Sequence, residues 1–274
     1  MFDTVIEMLS YPFMTRAFLV GSLVALCSAL LGVSLVLKRY SMIGDGLSHV
    51  GFGAMAIAAA MNAAPLTVAI PVVIVAAILL LRISGNAKIK GDAAIALIST
   101  TSLAVGVMVI SLTTGMNTDV YNYMFGSILA MSAEDVKLSL VLSVFVLILF
   151  IVFYHKIFAI TFDETFARAT GVKAGVYNTL IAVLTAVTIV LGMRMMGALL
   201  ISSLIIFPAL TSMRVYRTFK SVIINAAVIS VVCLIAGVTL SYVAATPAGA
   251  SVVLANLVMM VLYTVVGAVK NHMR

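Results

Sequence analysis

The sequence predicts an all-α fold, a polytopic bundle of about eight or nine transmembrane helices. Of the 274 residues, 64% are hydrophobic and 9% are charged, and the mean hydropathy is +1.27. A typical soluble domain carries about 25% charged residues. Several uncharged runs also reach the roughly 20 residues that a helix needs to cross the hydrocarbon core of a membrane. The strands of a transmembrane barrel would be shorter and would alternate polar with apolar residues.

Taken in chain order, the apolar runs predict a first span at 17–37 followed by four hairpins. The predicted hairpins join 41–64 to 65–81, 92–113 to 136–155, 176–193 to 195–213, and 221–245 to 250–269. Eight and nine spans both stay open, because polar residues and glycines interrupt 41–64 and are compatible with a partly unwound or re-entrant segment. We expect residues 1–14 to form an amphipathic helix on the outer surface, and residues 1–274 to form a single transmembrane domain.

The basic residues predict the orientation of these spans. The net charge is +7, but 13 of the 16 basic residues lie in five clusters at span ends, which argues against a nucleic-acid surface. The clusters are Lys38 and Arg39; Arg82, Lys88 and Lys90; Lys156, Arg168 and Lys173; Arg214, Arg217 and Lys220; and Lys270 and Arg274. The positive-inside rule places all five clusters in the cytoplasm, so the first span runs from outside to inside.

Asp45 and His49 are the ionisable residues predicted to lie inside a span. They are four residues apart, about one helical turn, so both side chains point the same way. Ionisable groups at membrane depth are costly and usually face a bundle interior or a water-filled path. The pair is therefore a candidate for handling a polar solute. The alternative is a packing role, in which His49 is hydrogen-bonded to another span.

The motifs that the sequence lacks narrow the function. It has no G-x-x-x-x-G-K-[ST] phosphate-binding loop, so a primary pump would need its energy from another subunit. It has no H-E-x-x-H motif and no pairing of a nucleophile with a base, which argues against an enzyme and leaves no catalytic residue to name. Two further classes stay open: an ion-coupled secondary transporter that works without an ATPase, and a structural or sensory membrane subunit.

The longest cytoplasmic loop, 156–175, contains a predicted short amphipathic helix at about 162–172. Acidic residues mark its start, apolar residues form one face and a glycine ends it, which is typical of a helix that docks in a groove of another protein. The residues involved are Asp163, Glu164, Phe166, Ala167 and Gly171. An ordinary solvated loop is the alternative interpretation.

The predicted outer side carries more acidic than basic residues, which would concentrate cations at a pore mouth. Asp119, which follows Asn117 and Thr118, is the candidate residue for an outer vestibule. A solvated loop acid is the alternative.

Five segments together resemble the membrane permease of bacterial ABC importers for zinc and manganese, the metal ABC-3 permease family. They are KRYSMIGDGLSHVGFGA (38–54), VYNYMFGSIL (120–129), FDETFARATGV (162–172), RMMGALLISSLIIFPAL (194–210) and LSYVAATPAGA (240–250). They occur in order and extend over most of the chain. The GD-x-x-SH segment looks closer to the zinc members than to the manganese members.

This resemblance implies a permease subunit that moves zinc into the cytoplasm across a bacterial cell membrane, with manganese or ferrous iron as alternatives. It implies a second permease copy, cytoplasmic ATPase subunits that bind ATP and dock on 162–172, and an extracytoplasmic metal-binding protein. It implies no permanently bound cofactor, because the metal is the substrate. Asp45 and His49 then lie on the metal path, and Arg194 resembles the basic residue that precedes the G-x-L-L-x-S segment, with a structural or gating role. The resemblance leaves a heterodimer open.

Overall fold

The computed structural model describes residues 8, 10–84, 91–113 and 132–272, and this part of the chain is helical with short connections. The helices are α1 (Pro12–Leu37), α2 (Ile43–Ala60), α3 (Pro65–Ser84), α4 (Gly91–Thr113), α5 (Ala133–Val152), α6 (Tyr154–Phe162), α7 (Glu164–Ala169), α8 (Ala174–Met196), α9 (Ala198–Met213), α10 (Phe219–Ala244) and α11 (Ala248–His272). Apart from α6, α7 and α9, these helices are long and apolar enough to cross a membrane, which makes eight candidate spans. The predicted all-α membrane bundle is thus confirmed.

The interior of the bundle is formed by α1, α2 and α8, which are the most buried of the eight spans, while α11 is the least buried. Helix α1 contacts α5, α8, α9 and α10, and α8 contacts α1, α2, α3 and α9. Small residues let these helices approach closely, as is usual where lipid removes the hydrophobic drive for helix association. At Gly32 of α1, for example, an added β-carbon would collide with the backbone carbonyl of Ile205 in α9.

Helix α9 is the ninth apolar helix and folds back on α8 after a single residue, Gly197, whose φ of 84° suits glycine. Gly21 of α1 lies against Met196 at the end of α8, and Gly32, further along α1, lies against Ile205 of α9. Helix α9 therefore runs back along α1, as the predicted hairpin requires. Its 16 residues span only about 24 Å, less than a hydrocarbon core of about 30 Å.

One end of the bundle collects the basic residues, and we call it the basic end. Lys38, at the end of α1, contacts the start of α8 through Asn178. Phe219, at the start of α10, packs on Tyr154 and Phe158 of α6. The backbone carbonyl of Arg214 lies against Gly267 near the end of α11. The described members of the five clusters predicted to be cytoplasmic thus lie at one end, while Lys88, Lys90 and Arg274 lie outside the described residues.

Several predicted boundaries are wrong by a few residues. Helix α1 begins at Pro12, so residues 12–14 belong to this span and not to a separate surface helix; residues 1–7 and 9 lie outside the described part. The segment 41–64 holds a continuous helix, Ile43–Ala60, and is neither unwound nor re-entrant. Helix α5 ends at Val152, and α6 follows as a separate helix that the sequence did not predict.

Candidate metal path and coupling site

Asp45 and His49 lie on one face of α2, with the carboxylate oxygen Oδ2 of Asp45 3.7 Å from Nε2 of His49. The side chain of Asp45 is 46% exposed and that of His49 is 21% exposed. The Ser48 hydroxyl between them donates to the backbone carbonyl of Asp45 and so does not occupy the carboxylate. A carboxylate and an imidazole are thus held together and open toward one side.

The pair lies closer to the basic end than an unbroken helix from Lys38 would place it. The chain turns between α1 and α2, where Arg39 has a φ of 61°, and α2 begins only at Ile43. At 1.5 Å per residue, Asp45 is about 3 Å and His49 about 9 Å along the axis from that start. Both side chains are therefore held in the first two turns of α2.

Glycines fix the flank of α2 that packs on α4. A β-carbon at Gly46 would lie 2.6 Å from the side chain of Ile95, and one at Gly53 would lie 2.7 Å from the backbone oxygen of Ser102. The two glycines are seven residues apart and share one helix face. Helix α4 therefore approaches α2 more closely than any side chain at these two positions would allow.

A second pair of glycines forms the opposite flank of α2. A β-carbon at Gly44 would lie 3.0 Å from the side chain of Ile205 in α9, and one at Gly51 would lie 2.6 Å from Met193 in α8. At 100° per residue, the direction of Asp45 and His49 falls between this flank and the flank that faces α4. The two side chains thus occupy a stripe that is left partly uncovered, although α2 is the most buried of the eight candidate spans.

One copy of the chain supplies too few ligands for a closed metal site. Within the described residues, no group of three or more His, Cys, Asp or Glu side chains is placed to hold a metal ion. Zinc in proteins is usually four-coordinate. Asp119, the predicted vestibule residue, lies outside the described residues. The site therefore offers one oxygen ligand and one nitrogen ligand from Asp45 and His49.

The predicted docking segment contains α7, a six-residue helix that is shorter than the expected 162–172. Asp163 caps it by accepting a hydrogen bond from the backbone N–H of Phe166 at 2.8 Å, and Gly171, with a φ of 84°, follows its end. Ala167 is fully buried against the bundle, whereas Phe166 is 64% exposed. Of the five predicted docking residues, Phe166 is the one that presents a large apolar side chain to the outside.

Glu164 and Lys38 anchor α7 to the bundle through a polar network that the sequence analysis missed. The ammonium of Lys38 donates to the Asn178 side-chain oxygen at 2.6 Å, to the Ile160 carbonyl at 3.2 Å and to a Glu164 carboxylate oxygen at 3.3 Å. Glu164 also accepts from the Asn178 amide at 3.0 Å and from the guanidinium of Arg168. The network thus joins α1, α6, α7 and α8.

The two charges at the centre of the network respond differently to burial. Burial lowers the pKa of Lys38, and the neighbouring Glu164 only partly offsets this effect. Burial would raise the pKa of Glu164, but hydrogen bonds from Asn178 and Arg168 and the charge of Lys38 outweigh it, so the pKa lies below its usual value. The carboxylate form of Glu164 is therefore the stabilised form.

Arg194 lies at the other end of the bundle, in the last turn of α8. Its guanidinium is 3.7 Å from a carboxylate oxygen of Asp135 in the first turn of α5, and both side chains are 17% exposed. Asp135 also forms a capping box with Ser132, which fixes its position. The ion pair joins the ends of two helices that are far apart in the sequence.

Neither Lys38 nor Asn178 carries a sequence signal for this role, because their contacts join residues 140 positions apart. Lys38 reads as one member of an interfacial basic cluster, and Asn178 is a single polar residue near a helix start. Only the convergence of α1 and α8 at the basic end shows what they do.

The described helices thus form a membrane bundle that carries an acid and histidine pair on an inner helix and holds a short helix at its basic end. The chain matches the ABC 3 transport family over residues 10–267, and it belongs to this family. It is therefore a multi-pass membrane permease of a metal ABC importer, in which ATP hydrolysis belongs to a separate subunit.

The names of similar proteins specify different metals. The high-affinity zinc uptake system membrane protein ZnuB of Haemophilus influenzae is 30% identical over 90% of this chain and 94% of its own. The manganese transport system membrane protein MntC of Halalkalibacterium halodurans is 28% identical over 90% and 85%. A probable iron transport system membrane protein of H. influenzae is 32% identical over 88% and 86%. Sequence likeness therefore does not choose the metal.

A solved structure supports the fold. The structure of PsaBC from Streptococcus pneumoniae in complex with a Fab has a TM-score of 0.85 and 26% identity, and the match covers 95% of this chain and 94% of that one.

Proposed function

We propose that the protein moves zinc into the cytoplasm as one half of a dimeric importer, with Asp45 and His49 as ligands on the translocation path. The observation that carries the proposal is the partly uncovered Asp45 and His49 stripe between α4 and α9. The two groups lie 3.7 Å apart on a helix that is otherwise closely packed. An ionisable pair in such a place is expected to serve transport.

A second copy would complete the coordination. Two copies facing each other through this stripe would supply two carboxylates and two imidazoles, which matches the four-ligand preference of zinc. Manganese prefers more oxygen ligands in octahedral geometry, so this donor set favours zinc. Manganese and ferrous iron are the alternatives, because carboxylate and imidazole side chains also bind these ions, although less tightly than zinc. A site of oxygen and nitrogen ligands without cysteine also suits an ion that must be released.

The ATPase subunit of the importer would dock on α7, with the exposed Phe166 as its apolar anchor. A single large apolar side chain that enters a pocket of the partner is a common source of binding energy at an interface. An extracytoplasmic metal-binding protein would deliver zinc at the opposite end, where Arg194 and Asp135 hold α8 to α5. Asp119 would belong to the vestibule there, and Arg194 would have a structural or gating role.

Metal accumulation in cells tests the proposal directly. Cells with the intact importer should accumulate zinc, and Asp45→Asn or His49→Ala should lower this uptake at least about tenfold, since loss of even an outer-shell partner costs that much. His155→Ala is the matched control, because this exposed histidine lies in α6 at the basic end. Normal zinc uptake in both variants would show that Asp45 and His49 are not needed on the metal path. Manganese or iron uptake without zinc uptake would refute the choice of metal.

The role of a second copy is tested by crosslinking. Met42 is exposed and lies on the same side of α2 as Asp45 and His49. With Met42→Cys, a short thiol crosslinker should join two copies in the membrane, whereas Leu254→Cys on the outer helix α11 should not. Absence of the Met42→Cys crosslink in a transporting protein would contradict the facing arrangement.

A further inference from the structure

A cavity of about 640 Å³ opens at the basic end, away from the network of Lys38. It lies between the α9–α10 connection and the last turns of α11. Its lining includes three basic residues, Arg214, Arg217 and Lys270, and the hydroxyl residues Thr218 and Ser221. This volume is large enough for a small polar group with several hydrogen-bond acceptors.

The basic residues of this cavity belong to a part of the chain that has no acidic side chains. The sequence contains no acidic residue after Glu164, so its last 110 residues carry basic groups alone. Among the described residues, Lys38, Arg168 and Arg194 each have a carboxylate partner, whereas none of the ion pairs involves the three basic residues of the cavity. Three cations that converge without a carboxylate favour binding of an anion.

The start of α10 adds hydrogen-bond donors to the same cavity. Thr218 caps this helix of 26 residues, and its hydroxyl lies 2.6 Å from that of Ser221. The two hydroxyls share one hydrogen bond, so one hydroxyl hydrogen of the pair can be donated to a ligand. The positive end of the helix dipole also favours an anion at this position.

Close packing fixes the walls of the cavity. A β-carbon at Gly267 would lie 2.8 Å from the backbone oxygen of Arg214, so the connection after α9 lies directly on α11. The same face of α11 continues as an apolar, exposed surface: Leu257 and Val261, each seven residues before the lining residues Thr264 and Ala268, are 41% and 54% exposed. A ligand with an anionic head and a hydrocarbon tail would satisfy both surfaces at once.

We propose that this cavity binds the phosphate of an acidic phospholipid headgroup, with the acyl chains along α11. The anion chemistry alone would also suit free phosphate, but the apolar face of α11 beside the cavity favours the lipid. Basic pockets between transmembrane helices are known to hold acidic headgroups, and each basic residue near the surface strengthens such binding.

The test measures thermal unfolding of the purified full-length permease as phosphatidylglycerol is added to phosphatidylcholine micelles. Phosphatidylglycerol should raise the melting temperature of the wild type. In the triple variant Arg214→Gln, Arg217→Gln, Lys270→Gln, the lipid concentration for half the effect should rise roughly 100-fold. The matched control, Arg39→Gln, Lys156→Gln, Lys173→Gln, removes the same charge from exposed positions outside the cavity lining and should respond like the wild type.

Each other outcome overturns a stated part of the proposal. An equal lipid response in the triple variant and the wild type would refute the site. Inorganic phosphate is also added at about ten times the lipid concentration that gives half the effect. If it reproduces the stabilisation, the bound anion is soluble and the lipid assignment is wrong. If the triple variant keeps the lipid response but no longer co-purifies with the ATPase, the cavity binds an acidic protein surface. Lys270→Gln alone, on the last turn of α11, gives a milder second variant in case the triple variant does not fold.

Discussion

Lys38→Met is the sharpest test of how α7 is held to the bundle. The Lys38 side chain is only 11% exposed, and its ammonium makes three hydrogen bonds. Methionine keeps the apolar stem of this side chain and removes the ammonium. The variant leaves the carboxylate of Glu164 with only Asn178 and Arg168. A hydrogen bond to a charged group contributes about 1.5–3 kcal/mol, and the loss of one partner leaves the other uncompensated.

Two features of the structure reduce this cost. Glu164 is 33% exposed, so water can replace part of the lost interaction. Burial already lowers the pKa of Lys38, so removal of the ammonium also removes a desolvation penalty. We therefore expect the variant to lose about 1–2 kcal/mol of stability, which corresponds to a fall of about 2–8 °C in the melting temperature of a chain of this size.

The assay is thermal unfolding of the detergent-solubilised full-length protein, followed by zinc uptake in cells. Arg168→Gln is the control, because Arg168 pairs with the same carboxylate but is 65% exposed, and such pairs contribute about 0.2–1 kcal/mol. A melting temperature of Lys38→Met within 1 °C of the wild type would refute the anchoring role. An equal fall in the melting temperature of Arg168→Gln would also refute it, since the effect would then come from the loss of any partner of Glu164.

The remaining predictions concern packing, docking and pH. Gly32→Ala should destabilise the protein by about 3 kcal/mol, because the new methyl meets the backbone of Ile205, whereas Gly175→Ala, with open space around it, should be neutral or slightly stabilising in the same unfolding assay. Phe166→Asp should stay in the membrane but lose co-purifying ATPase, while Phe166→Leu should keep it; retention by the Asp variant would contradict docking on α7. The pKa of Glu164 in the folded protein lies below its ordinary value of 4.5, so the carboxylate stabilises the fold above pH 4.5, and this stability is lost as the pH falls through the folded pKa. Glu164→Gln should therefore remove this part of the dependence of the melting temperature on pH.

Most of the span pattern could be predicted from the sequence because lipid imposes one dominant rule. Backbone groups in the hydrocarbon core must be hydrogen-bonded within the segment, so long apolar runs become helices, and basic residues mark the ends. The errors lie where this rule does not act. The polar residues and glycines of 41–64 left an unwound or re-entrant segment open, yet close packing on these glycines accompanies one continuous helix. Helix α6 follows aromatic packing of Phe158 and Phe162 on Phe219.

The candidate site divides in the same way. Asp45 and His49 could be found because ionisable residues inside an apolar run are rare and need a reason. Lys38 could not be separated from other interfacial lysines, because its partners Glu164 and Asn178 come from distant segments and meet it only in the folded bundle. A helix-end lysine is an ordinary surface anchor until folding buries it, and from then on its charge must be paired.

If Asp45 and His49 bind zinc as proposed, one chain supplies only part of the four-ligand coordination that zinc prefers. Glycines on both flanks of α2 let α4, α8 and α9 pack closely against it, as small residues do between membrane helices. The stripe with Asp45 and His49 escapes this burial although it lies on the same helix. An acid and an imidazole left partly open on a mostly buried membrane helix need a polar partner there. Under the proposed function, a second copy with its own pair, and the ion between them, would supply that partner.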